Sequence, residues 1–179
     1  MLNPRDRVEM LDLIGVQDKE CAEVGVYDGW FSKQILAKNP SKLLMIDPWI
    51  HQPIEVYPDD HANIGDNQFN AIFEKIVSEF GCNNKAIIIR DFSVNAVQSI
   101  PYNSLDFVYI DAIHTFESTL CDALLWSQKV KKGGWICGHD YIGKYLGVQY
   151  AVEAFCRITK QQLELITNET WASWGIQLK

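Results

Sequence analysis

The stretch Cys21-Ala22-Glu23-Val24-Gly25-Val26-Tyr27-Asp28-Gly29, answered by Lys42-Leu43-Leu44-Met45-Ile46-Asp47, decides the fold. An apolar strand over 22–26 runs into two glycines four residues apart, so the backbone can turn tightly and a ligand can approach it closely. A helical pattern over 30–37 ends before Asn39-Pro40, and a second apolar strand over 42–47 closes on an aspartate. Asp47 follows Gly25 by 22 residues. In a right-handed strand–helix–strand unit these features meet at one sheet edge, where a carboxylate can bind the two hydroxyls of a ribose. The pattern predicts a pocket for a nucleoside-bearing cofactor.

Outward from this unit, apolar runs alternate with helical patterns along the whole chain, 1–179, which reads as one domain. A leading helix covers 4–14. The stretch 48–66 is irregular, and a helix follows over 68–80 with Phe69, Ile72, Phe73, Ile76 and Val77 at helical spacing. The continuous apolar run 86–90 predicts a strand buried on both faces. A short helix (93–100), a strand (105–110) and a helix (116–130) come next. Gly133-Gly134 then turns the chain into a strand at 135–138. A helix over 147–159 and two strands, 163–167 and 174–178, close the chain. This alternation predicts a three-layer α/β fold, a seven-stranded, mostly parallel sheet with helices on both faces.

Composition narrows the function. With 47% hydrophobic and 12% aromatic residues the chain can bury a sizeable core. A net charge of −7 disfavours a nucleic-acid partner, and Lys129, Lys131 and Lys132 read as a solvated helix end. The five cysteines are scattered without a C-x-x-C pair, which suits reduced, mostly buried thiols in a cytoplasmic protein. The charged start, Met1 to Arg7, is unlike a signal peptide, and no run of about 20 apolar residues suggests a membrane span.

Ligands in such sheets bind beyond the C-terminal ends of the strands. Those ends carry Gly25–Gly29; Asp47 and Trp49; Asp91, Phe92 and Ser93; Asp111 and His114; and His139, Asp140 and Tyr141. A dinucleotide reading needs G-x-G-x-x-G, and Tyr27 stands where the middle glycine belongs, so NAD is disfavoured.

Glu23-x-Gly25-x-x-x-Gly29 resembles motif I of class I S-adenosylmethionine-dependent methyltransferases. Ile110-Asp111-Ala112-Ile113-His114, Lys132-Gly133-Gly134 and Gly138-His139-Asp140-Tyr141 resemble the small single-domain families of that class with I-D-x-x-H and G-H-D-Y segments. The resemblance spans nearly the whole chain and implies a Rossmann-like sheet whose last strand is antiparallel. It implies S-adenosylmethionine held by Glu23, Gly25, Tyr27, Gly29, Asp47, Trp49, Asp91, Phe92, Ser93 and Asp111. Asp91 and Phe92 would border the adenine, and Trp49 would cover the adenosine. It further implies O-methylation of a small acceptor, a sugar or glycosylated metabolite, with Mg²⁺ in some relatives.

The sulfonium is an activated methyl donor, so the protein positions the acceptor and removes its proton. His114 is the leading candidate base, with His139 sharing the role and Asp111 supporting it. Asp111 and Asp140 could share a Mg²⁺, although a carboxylate suits that ion better than His139 does. Asp111 could instead hold the cofactor's ammonium group. The 48–66 stretch, with His51 and His61, reads as an acceptor lid, and Trp171 and Trp174 read as core. N-methylation of a small amine or protein side chain, and a non-catalytic cofactor-binding module, are the alternatives.

Overall fold

The computed structural model describes residues 1–57 and 62–179; His61 and the 58–60 part of the expected lid lie outside the described residues. Helix α1 (Arg7–Ile14) starts at Asp6, whose Oδ1 accepts from the amides of Val8 and Glu9 at 2.9 and 2.8 Å. Strand β1 (Glu20–Val24) lies two residues earlier than the sequence suggests, because Gly25 and Val26 already belong to the turn. Helix α2 (Trp30–Ala37), β2 (Lys42–Ile46) and α3 (Asp66–Phe80) follow. Then come β3 (Ala86–Ile89), the short α4 (Ser93–Ala96), β4 (Leu105–Ile110) and α5 (Phe116–Ser127). The last elements are β5 (Val130–Gly138), α6 (Leu146–Thr159), β6 (Leu165–Ile166) and β7 (Trp174–Gln177).

The seven strands order as β3-β2-β1-β4-β5-β7-β6, with β7 antiparallel to both of its neighbours. Side chains alternate between two cores, as the pleat requires. On one face Leu43, Met45, Phe107 and Tyr109 pack with Met10, Phe31, Ile35 and Ile76 of α1–α3. On the other, Leu44, Ile46, Val108 and Ile110 pack with Trp126, Val152 and Phe155 of α5 and α6. The reversal of order between β1 and β4 opens a crevice at the C-terminal edge.

Several expectations are corrected by packing. Strand β3 is the sheet edge, and Ile87 is 42% exposed, so its apolar run is not buried on both faces. Gly133-Gly134 does not precede β5 but lies inside it, where the β4–β5 register shifts. The lysines are not a solvated helix end: Lys131 and Lys132 are in β5, with Lys131 Nζ 2.9 Å from Asp106 Oδ2, while Lys129 does follow α5, its amide donating to the Trp126 carbonyl, but is buried over Tyr102. Cys21 and Cys137 are buried, but Cys82 and Cys121 are exposed. No helix among the described residues is long and apolar enough to cross a membrane.

Candidate active site

A cavity of about 610 Å³ occupies the crevice. Its floor is the turn after β1. Gly25, Tyr27 and Gly29 there all have positive φ (89°, 50° and 79°). A Cβ on Gly25 would sit 1.9 Å from the Asp111 carbonyl oxygen, and one on Gly29 would sit 2.7 Å from Ile76 Cδ1. The protein itself, rather than a ligand, makes the close approach that both glycines permit. Beneath the turn, Glu23 is buried and accepts from the Ser32 hydroxyl of α2. Burial pushes its carboxyl up to about 8, against the Ser32 hydrogen bond.

Asp47 holds the same turn from β2. Its Oδ2 accepts from the amides of Val26 (3.0 Å) and Tyr27 (2.9 Å), and its Oδ1 from that of Trp49 (2.7 Å). Burial raises its pKa, against the lowering by these three amides. Three of about four acceptor positions are filled, which leaves room for one hydroxyl rather than the two anticipated. Trp49 does not face the cavity. It is fully buried against Phe73, and its Nε1 donates to the Tyr27 carbonyl at 2.8 Å.

Beyond β3, Asp91, Phe92 and Ser93 line the cavity, with Phe92 42% exposed. Asp91 Oδ1 accepts from the Phe92 amide (2.7 Å) and Asn95 Nδ2 (2.9 Å), steadying the loop. Ser93 is turned to Asp122 of α5, donating to its Oδ1 while accepting from Trp126 Nε1 at 2.8 Å. Sequence reasoning missed Asp122, whose carboxyl burial pushes up to about 6, against the Ser93 hydrogen bond.

The ends of β4 and β5 bring together the other candidates. His114 Nε2 stands 2.9 Å from Asp140 Oδ2, and His139 Nδ1 stands 3.3 Å from the same atom and 3.5 Å from Asp111 Oδ2. His139 Nε2 is buried without a hydrogen-bond partner among the described residues. Asp140, at φ 59°, is held well below the usual carboxylate range: burial opposes ionisation, but the two imidazoles outweigh it. Donor atoms of Asp111, His139 and Asp140 lie within 4.8 Å of one another, a metal-compatible grouping that adds His139 to the anticipated pair.

Two more groups escaped the sequence reading. Arg7 of α1 reaches Asp111 Oδ2 at 3.2 Å. Trp171, expected in the core, is 40% exposed on the cavity wall, 5.9 Å from the Tyr145 ring, which lies 4.5 Å from that of His114. Trp174 is core as expected. The irregular stretch adds Ile50, Gln52, Tyr57 and Ala62 to the lining, while His51 is tied to Asp66 and Ile64 outside it.

Comparison with known proteins agrees with this architecture. The O-methyltransferase NovP superposes with TM-score 0.68 at 17% identity, covering 96% of this chain and 76% of that one. A Clostridium thermocellum protein provisionally assigned as an rRNA methylase gives TM-score 0.67 at 12% identity, covering 97% and 94%. A Staphylococcus aureus protein provisionally assigned as a caffeoyl-CoA O-methyltransferase gives 0.66 at 12%, covering 96% and 80%. No curated protein matches the sequence. These likenesses establish the fold, and a family model described as a methyltransferase domain matches residues 22–141. On that match, with the strand order and the crevice it creates, the chain belongs to the class I S-adenosylmethionine-dependent methyltransferases, in the methyltransferase domain family.

Proposed function

We propose that this methyltransferase binds S-adenosylmethionine in the cavity and methylates a hydroxyl of a small acceptor, with a sugar or glycosylated metabolite as the favoured class. The observation that carries the reading is the His114–Asp140 contact of 2.9 Å, placed on the β4–β5 side of the cavity, away from Asp47 and Asp91. The lining fits the cofactor. Phe92 offers an exposed ring face for the adenine, Asp47 keeps one acceptor position for a ribose hydroxyl, and the acidic walls suit a sulfonium cation. Bound there, S-adenosylmethionine supplies an already activated methyl group.

The chain's own task is to orient the acceptor oxygen and remove its proton. His114 takes that proton, and the Asp140 anion fixes the ring and stabilises the imidazolium, as a carboxylate does for a catalytic histidine elsewhere. Tyr145 and Trp171, with Tyr57 6.3 Å from the His114 ring, give the acceptor side aromatic walls suited to a small ring. The net charge of −7 and the acidic lining speak against a nucleic-acid acceptor.

Asp111, His139 and Asp140 would be the donors for a divalent cation. They fit Mg²⁺ poorly. Arg7 Nη1 puts a fixed positive charge 3.2 Å from Asp111 Oδ2, and imidazole is a weak ligand for a hard ion. That balance supports proton removal by His114 without a metal.

The test is calorimetric titration with S-adenosylhomocysteine beside NAD⁺, then an acceptor screen with wild type and His114→Gln. The reading expects selective binding of S-adenosylhomocysteine, and a fall in kcat of about 10²- to 10⁴-fold in the variant with cofactor affinity retained. Preference for NAD⁺ overturns the cofactor assignment. Turnover indifferent to His114 favours N-methylation, and binding without turnover of any acceptor favours a non-catalytic module.

A further inference from the structure

The cavity is strongly biased in charge. Among the described residues lining it are eight carboxylate side chains, and Arg7 is the only lysine or arginine. Its side chain is 20% exposed, and its guanidinium lies 4.9 Å from the Trp30 ring and 5.1 Å from that of Phe31. It bonds Asp111 through Nη1 and has the Tyr109 hydroxyl as a further hydrogen-bonding neighbour, so other donors among its five N–H groups remain for a second anion.

The placement is built into the fold. Helix α1 buries Met10 and Leu11 completely, and the segment before it is strapped to β6, with the Leu2 amide donating to Glu164 at 2.7 Å and the Leu2 carbonyl accepting from Ile166 at 3.1 Å. Arg7 is thereby presented at the end of β4, two strands beyond β2 and its Asp47. Arg7 precedes residues 22–141, the part of the chain that the family model matches.

We infer that Arg7 clamps the carboxylate of the cofactor's amino-acid end, while Asp111 beside it faces the ammonium group. The inference rests on the cavity being the S-adenosylmethionine site. A zwitterion needs one cation and one anion side by side, and the Arg7–Asp111 pair is where this acidic cavity provides both. The adenine and ribose then fall toward Phe92 and Asp47, and the acceptor toward His114. Arg7 is a binding residue in this scheme, separate from the proton transfer.

The test compares two ligands that differ only at that end: S-adenosylhomocysteine and 5′-methylthioadenosine, which lacks the amino-acid group. Titrations use wild type, Arg7→Gln and Arg7→Lys, with melting curves to verify folding. The clamp requires wild type to prefer S-adenosylhomocysteine, and Arg7→Gln to lose about 10- to 100-fold of that affinity, the worth of one charge-assisted pair. Binding of methylthioadenosine should change by less than about two-fold, and Arg7→Lys should recover part of the loss. Unchanged S-adenosylhomocysteine affinity in Arg7→Gln overturns the clamp, as does an equal loss for both ligands. Wild type that binds neither ligand overturns the cofactor site itself and the clamp with it.

Discussion

Replacing Gly25 with alanine would force a methyl group into the backbone of a neighbouring strand end. The added Cβ would meet the Asp111 carbonyl oxygen at 1.9 Å, its carbon at 2.5 Å and the Ala112 Cα at 3.0 Å. None of these is the tip of a flexible side chain, so relief requires β1 and β4 to separate where they pair through Val24 and Ile110. Holding a non-glycine residue at φ +89° costs about 1–2 kcal/mol, and overpacking adds about 1–3 kcal/mol. The expected loss is about 3 kcal/mol, a fall in Tm of about 6–12 °C for a chain of this size. Gly15→Ala is the control: Gly15 has a similar φ, +74°, but nothing within 4 Å of its Cβ, so only the conformational cost of about 1 kcal/mol applies. Urea or thermal unfolding without ligand measures both. If Gly25→Ala is no less stable than Gly15→Ala and loses only cofactor affinity, the glycine serves the ligand and the packing argument fails.

Asp122→Asn should change the pH profile of stability. Burial pushes the native carboxyl up to about 6 from 3.8, so the folded state keeps a proton that the unfolded chain releases, and the contribution of this group to stability falls as pH rises from about 4 to 6. Asparagine does not titrate and can still accept from Ser93, so the variant should gain on wild type across that window by at most about 3 kcal/mol and hold the gain above it. Urea midpoints at pH 4, 5, 6 and 7 measure this, and a constant difference would refute it. Turnover should survive chelator and gain less than about two-fold from added Mg²⁺, because Arg7 already occupies the Asp111 side of the cluster. Loss of activity in chelator, restored by Mg²⁺, would reinstate the metal reading.

The sheet was legible because its signals are local. Turn glycines, apolar runs and helical spacing report on a few neighbouring residues, and right-handed crossovers carry them to one edge. On that basis the sequence placed Gly25, Asp47, Asp91, Asp111, His114, His139 and Asp140 at the ends of strands, and each lies on the cavity. What each side chain does there depends on partners far away in the chain. Arg7 meets Asp111 across 104 residues and Ser93 meets Asp122 across 29, and no local pattern announces either pair. Trp49 and Trp171 were both aromatic residues next to strands, and packing sent the first under the floor and the second to the wall. Gly25 reads as a glycine made for a ligand until the Asp111 carbonyl beside it is seen. The sequence by itself determined the alternation of strands and helices and the edge where the chemistry sits, since periodicity and chain handedness are properties of short segments. Only the tertiary structure decided which groups meet there and in what charge state, because contact and desolvation arise when distant segments pack.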